Sequence, residues 1–339
     1  PRDRTVRGTQ ALVVAVQSGD VPGTAVEPYE LAVSAMMSDP ALAAQKYKEV
    51  LLLAPDFAFA HMNLGVALAA QGEVKAAEAS MKKATALAPE DADTWRNLGM
   101  FYLMTQRFPD AVPALQTAQG LDPADPQLLS ALATAQLGAR KPRAAAASFR
   151  KALALRPRDP ELHVELAAAQ AADDDLHGAE ATARAGLRIA PEMVPARVQL
   201  VAILRDARRF DEALVELAIL EKQLPNHPDL AGERAAIQAR RDAHVEQAAS
   251  GKVRLARIVL KDAATARQVT QEARAGTDFA LLARRHGEGA EAGRGGDIGY
   301  VDVEELRTEL ADAVRPLKRG GVSDPVDLGG SWLVLKRTE

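Results

Sequence analysis

The side chains that most often carry chemistry are few and widely separated in this sequence. Cysteine is absent, which excludes thiol nucleophiles, thiolate metal sites and disulfides. The six histidines, at 61, 163, 177, 227, 244 and 286, show no metal-binding spacing. The acidic run AADDDLHG (171–178) lacks the alternating ligands of a calcium loop and is interpreted as a solvated turn with N-capping. We therefore expect no metal and no cofactor.

A charged residue stands in the middle of a largely apolar run. The stretch VRLARIVL (253–260) is rich in β-branched residues and predicts a buried strand. Arg257 lies in its middle. Because buried arginine normally keeps a partner, this position needs an explanation from the surrounding elements.

The composition limits what those elements are. The chain has 339 residues, which indicates two or three domains, and only 4% of them are aromatic. Alanine supplies much of the apolar content and favours closely packed helices. The net charge of −4 and a basic patch without stacking aromatics, RDARRF (205–210), argue against nucleic-acid binding.

The length of the apolar runs and the first residue of the chain bear on where the protein is located in the cell. No apolar run approaches the ~18 residues of a membrane span, so no direct membrane insertion is expected. The chain begins with Pro, which suggests that an earlier segment was removed. Neither feature identifies the compartment.

A pattern of 34 residues repeats along most of the chain. Prolines recur at 55, 89, 123, 157, 191 and 225, and a common arrangement of small and large residues precedes each. In one copy these are Leu64-Gly65, Ala77, Met81 and Pro89. This spacing predicts paired helices that approach closely at the small residues and end at the proline.

The pattern resembles the tetratricopeptide repeat (TPR), which implies an all-α superhelical solenoid. The predicted repeats are 24–57, 58–91, 92–125, 126–159, 160–193 and 194–227. Residues 228–250 are predicted to form a polar capping helix. Residues 1–23 remain ambiguous between a preceding helix, a strand that docks elsewhere and a loose tail.

TPR arrays bind partners on the face lined by the first helix of each pair, and helical spacing selects the candidates here. They are Phe59, Met62, Val66, Arg96, Met100, Leu103 and Met104. This set predicts an apolar, methionine-rich groove with one cation, suited to a protein or peptide partner. Internal packing is the alternative, and the set does not match TPRs that grip a C-terminal carboxylate.

From Gly251 onward the composition changes to that of a small α+β domain. The order of strand-like and helix-like stretches over 251–339 predicts β-α-α-β-α-β. The glycines of GEGAEAGRGGDIGYV (287–301) are interpreted as a tight turn and a strand bend. A phosphate-binding loop is excluded because the loop leads into a strand and not into a helix.

This domain resembles the parvulins, rotamases that isomerise X–Pro peptide bonds. Three signatures occur in order: GTDFALLA (276–283), GGDIG (295–299) and LKRGGVSDPV (317–326). The family implies two facing histidines, a loop Cys or Asp and a hydroxyl, but these positions fall on Arg257, Leu333, Gly289 and Gly330. The resemblance therefore implies a degenerate, catalytically silent site without ionisable side chains at its floor.

The resemblance also assigns a proline pocket to Ile298, Leu306 and Leu310, all aliphatic, where the family usually has Met and Phe at the last two. Two roles remain open for Arg257. It would hydrogen-bond the peptide carbonyl, or it would pair with a carboxylate such as Asp297 or Asp302 while its stem covers apolar surface. The short loop KDAAT (261–265) lacks a basic cluster, so phosphopeptide selectivity is not expected.

Three functions follow as hypotheses. The first is a noncatalytic adaptor that binds partners through the TPR groove and the parvulin-like domain. The second is an active or weakly active prolyl isomerase with TPR-recruited substrates, and the third is a holdase chaperone. The domain combination favours the bacterial cell envelope or periplasm over the cytoplasm by fold-level association alone. Oligomeric state is not indicated.

Overall fold

The structure, a computed structural model, describes residues 2–249 and 251–339. Pro1 and Ser250, at the ends of two predicted segments, lie outside the described residues. The chain divides between Ala169 and Gln170 into two compact units. This division falls inside the repeat array, so the last repeats belong to the same unit as the C-terminal domain.

Helices fill the array. Those in the first unit are α1 Arg2–Ser18, α2 Val26–Ala35, α3 Pro40–Leu53, α4 Ala58–Ala70, α5 Val74–Leu87, α6 Ala92–Met104, α7 Phe108–Leu121, α8 Pro126–Gly138 and α9 Pro142–Leu155. Next come α10 Pro160–Ala172, α11 Leu176–Ile189, α12 Val194–Asp206, α13 Phe210–Gln223 and α14 Pro228–Ala249. Within the described residues, no helix is both long and apolar enough to cross a bilayer.

Local chemistry explains where the paired helices begin and end. The first helices of five pairs begin at 58, 92, 126, 160 and 194, the positions at which the predicted repeats begin. Asp91 and Asp125 cap two of them, accepting hydrogen bonds from the backbone N–H of Thr94 and of Leu128. Each second helix from α3 to α13 ends two residues before one of the periodic prolines. The proline then opens the turn to the next pair.

The turn inside each of the five pairs from α4/α5 to α12/α13 contains a residue in the left-handed region of backbone space. Gly72 has φ 80°, and the next four turns have φ between 57° and 63° at Gln106, Arg140, Asp174 and Arg208. These positions are 34 residues apart, so the geometry repeats although the residue type does not. Four side-chain-bearing residues therefore hold a conformation that favours glycine.

Small residues set the spacing of the helices. Ala77, Ala111 and Ala145 are fully buried. A Cβ added at Gly99 would lie 2.5 Å from Cγ of Leu115, so α6 and α7 are in contact at this glycine. At the N-terminal end, Leu12 of α1 joins the core, which identifies the ambiguous first segment as a helix.

The C-terminal domain contains strands β1 Val253–Leu260, β2 Asp297–Val301, β3 Val326–Asp327 and β4 Trp332–Arg337, with helices α15 Ala263–Arg274, α16 Phe279–His286 and α17 Thr308–Val314. The order β-α-α-β-α-β was expected, and the structure adds β3, a two-residue strand. The antiparallel sheet has the order β2-β1-β4-β3. Its register places Arg257 opposite Leu335 and Val259 opposite Leu333.

The sheet separates two apolar clusters. One contains Ile258 and Leu260 of β1 with residues of α15 and α16, such as Val269 and Leu282. The other contains Leu255, Leu333 and Leu335 with residues around α17. Because side chains alternate along a strand, Arg257 points to the second face, between Leu255 and Val259.

Within the second unit, the last repeats contact this domain through polar and aromatic side chains. His244 of α14 lies between the rings of Phe210 and Tyr300 and hydrogen-bonds the Tyr300 hydroxyl. Its Nε2 is 3.1 Å from a carboxylate oxygen of Glu339. The predicted capping helix thus also provides a docking surface for the C-terminal domain.

Candidate functional site

The candidate site is the sheet face that carries Arg257. Its Nε donates a hydrogen bond to Oε1 of Glu291 at 2.5 Å, and the Arg257 side chain is 40% exposed while that of Glu291 is 11% exposed. This contact is a charge-assisted ion pair at the position where the parvulin resemblance implies the first histidine. The structure therefore supports the paired role for Arg257, but the partner is neither Asp297 nor Asp302.

The loop before β2 places Glu291 beside the strand. The backbone N–H of Arg257 donates to the carbonyl of Gly296 at 2.8 Å, and that of Gly296 donates to the carbonyl of Glu291 at 2.8 Å. Gly295 and Gly296 both have positive φ. A Cβ at Gly296 would lie 2.5 Å from the carbonyl oxygen of Arg257, so only glycine allows the loop to come this close.

Electrostatics favours the ionised pair. The hydrogen bond from Arg257 is the main cause that lowers the pKa of Glu291, and the charge of Arg294 acts in the same direction. The expected floor without ionisable side chains is therefore wrong. Counting back from Gly296 without gaps places the loop acid at position 289, which is a glycine. The carboxylate comes instead from Glu291, two residues later in the chain.

The other two positions that the resemblance marks are Leu333 and Gly330. Leu333 is buried in the second apolar cluster, so β4 contributes no polar group there. Gly330 has φ 139° and no heavy atom within 4 Å of an added Cβ. The described face therefore carries the Arg257–Glu291 pair, together with Leu333 and Gly330 at the other two marked positions.

The predicted proline pocket lies on the same face. Ile298, Leu306 and Leu310 are half-buried and contact the cluster that contains Leu333 and Leu335. Ile298 lies on β2, Leu306 follows a short 3₁₀ turn, and Leu310 belongs to α17. A guanidinium and three aliphatic side chains thus share one face, an arrangement that can bind both the polar backbone and an apolar ring of a peptide.

The TPR groove is smaller than predicted. Met62 is 7% exposed, and its sulfur accepts a hydrogen bond from the Asn97 side chain, so the expectation that it lines an open groove is wrong. Phe59 and Leu103 are half-buried against the core of the first unit. The alternative of internal packing applies to these three residues.

Three of the seven groove residues remain exposed: Val66 at 36%, Met100 at 37% and Met104 at 77%. The predicted cation, Arg96, is largely buried, with nitrogens 2.8 Å from Asp93 and 3.5 Å from Asp125. It is therefore occupied by two carboxylates. What remains is a small apolar patch on α4 and α6, which stays a candidate for partner binding.

A hydrogen-bonded pair of side chains between α8 and α10 was not predicted. Ser130 of α8 donates a hydrogen bond to Glu165 of α10 at 2.9 Å. Burial raises the pKa of Glu165, more than this hydrogen bond lowers it. No sequence signal identified the pair, because its members lie 35 residues apart.

Arg254 is a second arginine of β1, and the sequence interpretation did not single it out. It is buried and forms a bidentate ion pair with Asp297, the acid of the GGDIG signature, with Nε to Oδ1 at 3.1 Å. Burial acts to raise the pKa of Asp297, but hydrogen bonds from Arg254 and from the backbone N–H of Gly299 outweigh it and lower the pKa. Asp297 is thus paired with Arg254, and Arg257 pairs with Glu291 instead.

Comparison with known families matches both parts of the chain. Residues 31–197 match the family described as the C-terminal domain of cilia and flagella-associated protein 70, a TPR family. Residues 259–339 match the PPIC-type peptidyl-prolyl isomerase (rotamase) domain. The two matches follow each other along the chain without overlap.

Curated relatives resemble a part of the chain. Foldase protein PrsA of Geobacillus sp. (strain WCH70) is 35% identical over 89 residues, which cover 26% of this chain and 32% of that protein. Chaperone SurA of Hydrogenovibrio crunogenus is 36% identical over 61 residues, or 18% of this chain and 14% of that protein. The chain spans about a third or less of the length of these relatives.

Solved structures resemble the repeat array in fold. YrrB, described as a TPR protein with an unusual peptide-binding site, superimposes with a TM-score of 0.50 at 19% identity, covering 57% of this chain and all of that one. PilF of Pseudomonas aeruginosa gives a TM-score of 0.50 at 20% identity, covering 62% and 97%. These matches, together with the family matches, confirm the predicted fold classes: the chain carries a TPR-like helical array followed by a PPIC-type parvulin rotamase domain.

Proposed function

We propose that this chain is a client-binding chaperone whose rotamase domain holds proline-containing segments of unfolded polypeptides. The observation that carries the proposal is the shared face of the Arg257–Glu291 pair and the aliphatic trio Ile298, Leu306 and Leu310. The trio suits the proline ring, and the guanidinium suits the adjacent backbone carbonyl. Relatives of this domain are named foldase and chaperone, which supports the same function.

In this proposal the repeat array adds a second contact with the client. Val66, Met100 and Met104 form a small exposed apolar patch, and methionine adapts to varied apolar partners. Two weak contacts on one chain increase the overall affinity for an extended polypeptide that reaches both. A folded adaptor partner would use the same patch, and the two cases differ in whether binding needs an unfolded client.

The test measures aggregation of a chemically unfolded model protein with and without the full chain. Suppression of light scattering at a stoichiometric amount of chain supports the chaperone function. The variant Ile298→Asp with Leu310→Asp replaces two of the three aliphatic side chains and is expected to lose most of the effect. Unchanged aggregation in the presence of the wild-type chain would contradict the proposal.

Prolyl isomerisation is a second candidate function. Isomerisation needs a site that favours the twisted amide over both planar forms, and it needs no proton transfer. A guanidinium held in place by a buried carboxylate can bind the carbonyl oxygen in its rotated position. The test is a protease-free isomerisation assay on an X–Pro peptide, in which Arg257→Met should remove any acceleration given by the wild-type chain.

The bacterial cell envelope is the proposed compartment. The pairing of a repeat scaffold with a rotamase domain supports it only as a fold-level association. Fractionation of cells that express the natural full-length protein tests it, and recovery in the cytoplasmic fraction would exclude it.

A further inference from the structure

The Arg257 guanidinium has one edge in use and one edge open. Its Nε binds Glu291, and among the residues that the structure describes neither Nη nitrogen has a protein partner. The side chain is 40% exposed, so solvent or a ligand can reach this edge. A guanidinium edge with two parallel N–H donors matches the two oxygens of a carboxylate.

Nearby charges leave this edge attractive to an anion. Glu291 is buried and is already paired. Arg294, exposed on the same loop, adds a positive charge. Lys261 and Glu288 neutralise each other in an ion pair with a separation of 2.5 Å. The net charge around the open edge of the Arg257 guanidinium is therefore positive.

Two carboxylates near the aliphatic trio are paired, while Glu305, next to Leu306, is exposed and has no ion-pair partner among the described residues. Glu304 accepts from Arg315 at 3.2 Å, and Glu309 lies 3.7 Å from Arg307. Their charges are thus partly compensated and do not dominate the approach of an acidic ligand. The shared face offers apolar contact at the trio and an anion-binding edge at Arg257.

We propose that the rotamase domain selects segments in which an acidic residue, Glu or Asp, directly precedes the proline. This inference rests on the proposed binding of proline-containing segments. Neighbouring Cα atoms are about 3.8 Å apart, so the side chain before the proline lies within reach of a group beside the ring. A carbonyl alone would use one N–H, whereas a carboxylate uses both and gains the stronger bidentate contact.

The experiment uses the full chain and a series of fluorescent peptides that differ only in the residue before the proline. Anisotropy titrations compare Glu, Gln and Lys at that position. The expected dissociation constants rise about threefold to tenfold from Glu to Gln and further to Lys, which corresponds to the net gain from a hydrogen-bonded ion pair at a partly exposed position. The preference for Glu should weaken as salt rises.

Two variants assign the preference to Arg257. Arg257→Gln combined with Glu291→Gln removes both charges without leaving a buried carboxylate unpaired, and it should bind the three peptides about equally. Arg294→Gln changes an exposed loop charge and should keep the order of affinities. Circular dichroism at matched concentration verifies that both variants fold.

The outcomes separate this inference from the function on which it depends. Equal binding of all three peptides by the wild-type chain overturns the inference and leaves proline-segment binding standing. Retention of the Glu preference in the double variant also overturns it. Failure of every peptide to bind contradicts the proposed function, and the inference with it.

Discussion

At the scale of single residues, the site shows how a charged side chain is accommodated in a β-strand. Arg257 interrupts an apolar strand, and Glu291 is almost buried. Glu291 needs a partner, because a buried charge without one costs several kcal/mol. The pair satisfies both while the open edge of the guanidinium remains accessible. Arg257, which stands out in the sequence, is thus one member of an ion pair.

A double-mutant cycle tests this dependence. Arg257→Met should lower the free energy of unfolding of the C-terminal domain by about 1–3 kcal/mol, because it leaves the Glu291 carboxylate buried and unpaired. Adding Glu291→Gln should recover part of that loss. Arg294→Met, at an exposed loop position, is the matched control with little effect. Additive losses in chemical denaturation would contradict the coupling.

The pair also gives a pH dependence with a defined sign. The pKa of Glu291 is lowered from its ordinary value of 4.5, mainly by the hydrogen bond from Arg257. Its contribution to stability is therefore fully present above pH 4.5 and is lost as the pH falls through the lower, folded-state value.

Thermal unfolding between pH 6 and pH 3 measures this effect. The loss of stability on acidification should be smaller in the variant that combines Arg257→Met and Glu291→Gln than in the wild type. Equal slopes in both proteins would show that the pair does not contribute.

The sequence predicted the kind of partner that Arg257 needs, but not its identity. Asp297 and Asp302 were reasonable choices because both follow the glycine pair closely. In the structure Asp297 binds Arg254, and Asp302 accepts a hydrogen bond from the backbone N–H of Glu304. Glu291 reaches Arg257 only because the loop folds back through Gly295 and Gly296, a backbone path that residue counting does not reveal.

At the scale of elements, the 34-residue period predicted where helices begin, but it did not predict which of their residues are exposed. The helix starts at 92, 126 and 160 coincide with the predicted repeat starts. Met62 nevertheless lies under the Asn97 side chain of the next pair. Helical spacing assigns a residue to a face, but the packing of the neighbouring pair decides whether that face is open.

The exposed part of the groove can be tested with charge. Met100→Glu should reduce binding of an unfolded client severalfold, because it places a charge in an apolar contact. Met37→Glu is a matched control, since Met37 is 89% exposed and lies outside the patch. Surface plasmon resonance with immobilised unfolded protein measures both. Equal affinities of the two variants would exclude the patch as a client contact.

The helix contact at Gly99 gives a prediction about stability. Gly99→Ala should destabilise the first unit by about 1–3 kcal/mol, because its Cβ would meet Leu115 at 2.5 Å and the backbone of that residue at 3.3 Å. Gly120→Ala is the control, with no heavy atom within 4 Å, and should be neutral or stabilising by up to about 1 kcal/mol. Denaturant titration compares them. A stabilising Gly99→Ala would show that α6 and α7 can separate freely.

At the scale of the whole molecule, the predicted domain boundary near 250 does not coincide with the division between compact units at Ala169 and Gln170. Composition changes at Gly251, which is why the sequence indicated a boundary there. The contacts that bind the last repeats to the C-terminal domain come from scattered residues, such as His244 and Tyr300. Such contacts have no periodic signal in the sequence.

Two of the left-handed turn positions take part in this docking. Asp174 accepts a hydrogen bond from Nη1 of Arg284 on α16 at 3.0 Å, and Arg208 lies 3.8 Å from Asp297. Arg140 occupies the equivalent position in the first unit and is exposed. These turns therefore share one backbone geometry, but only some of their side chains bind another element.

Glycine substitutions separate backbone strain from docking. Arg140→Gly should raise the free energy of unfolding by about 0.5–1 kcal/mol, because glycine relieves the left-handed strain and this exceeds its greater entropy in the unfolded chain. Asp174→Gly relieves strain too, but it leaves the mostly buried Arg284 without its carboxylate. It should therefore give no gain, or a loss of up to about 1 kcal/mol. Hydrogen exchange of α16 locates the effect, since faster exchange is expected only in Asp174→Gly. If both variants gain equally and exchange in α16 is unchanged, the ion pair does not hold the domain on the last repeats.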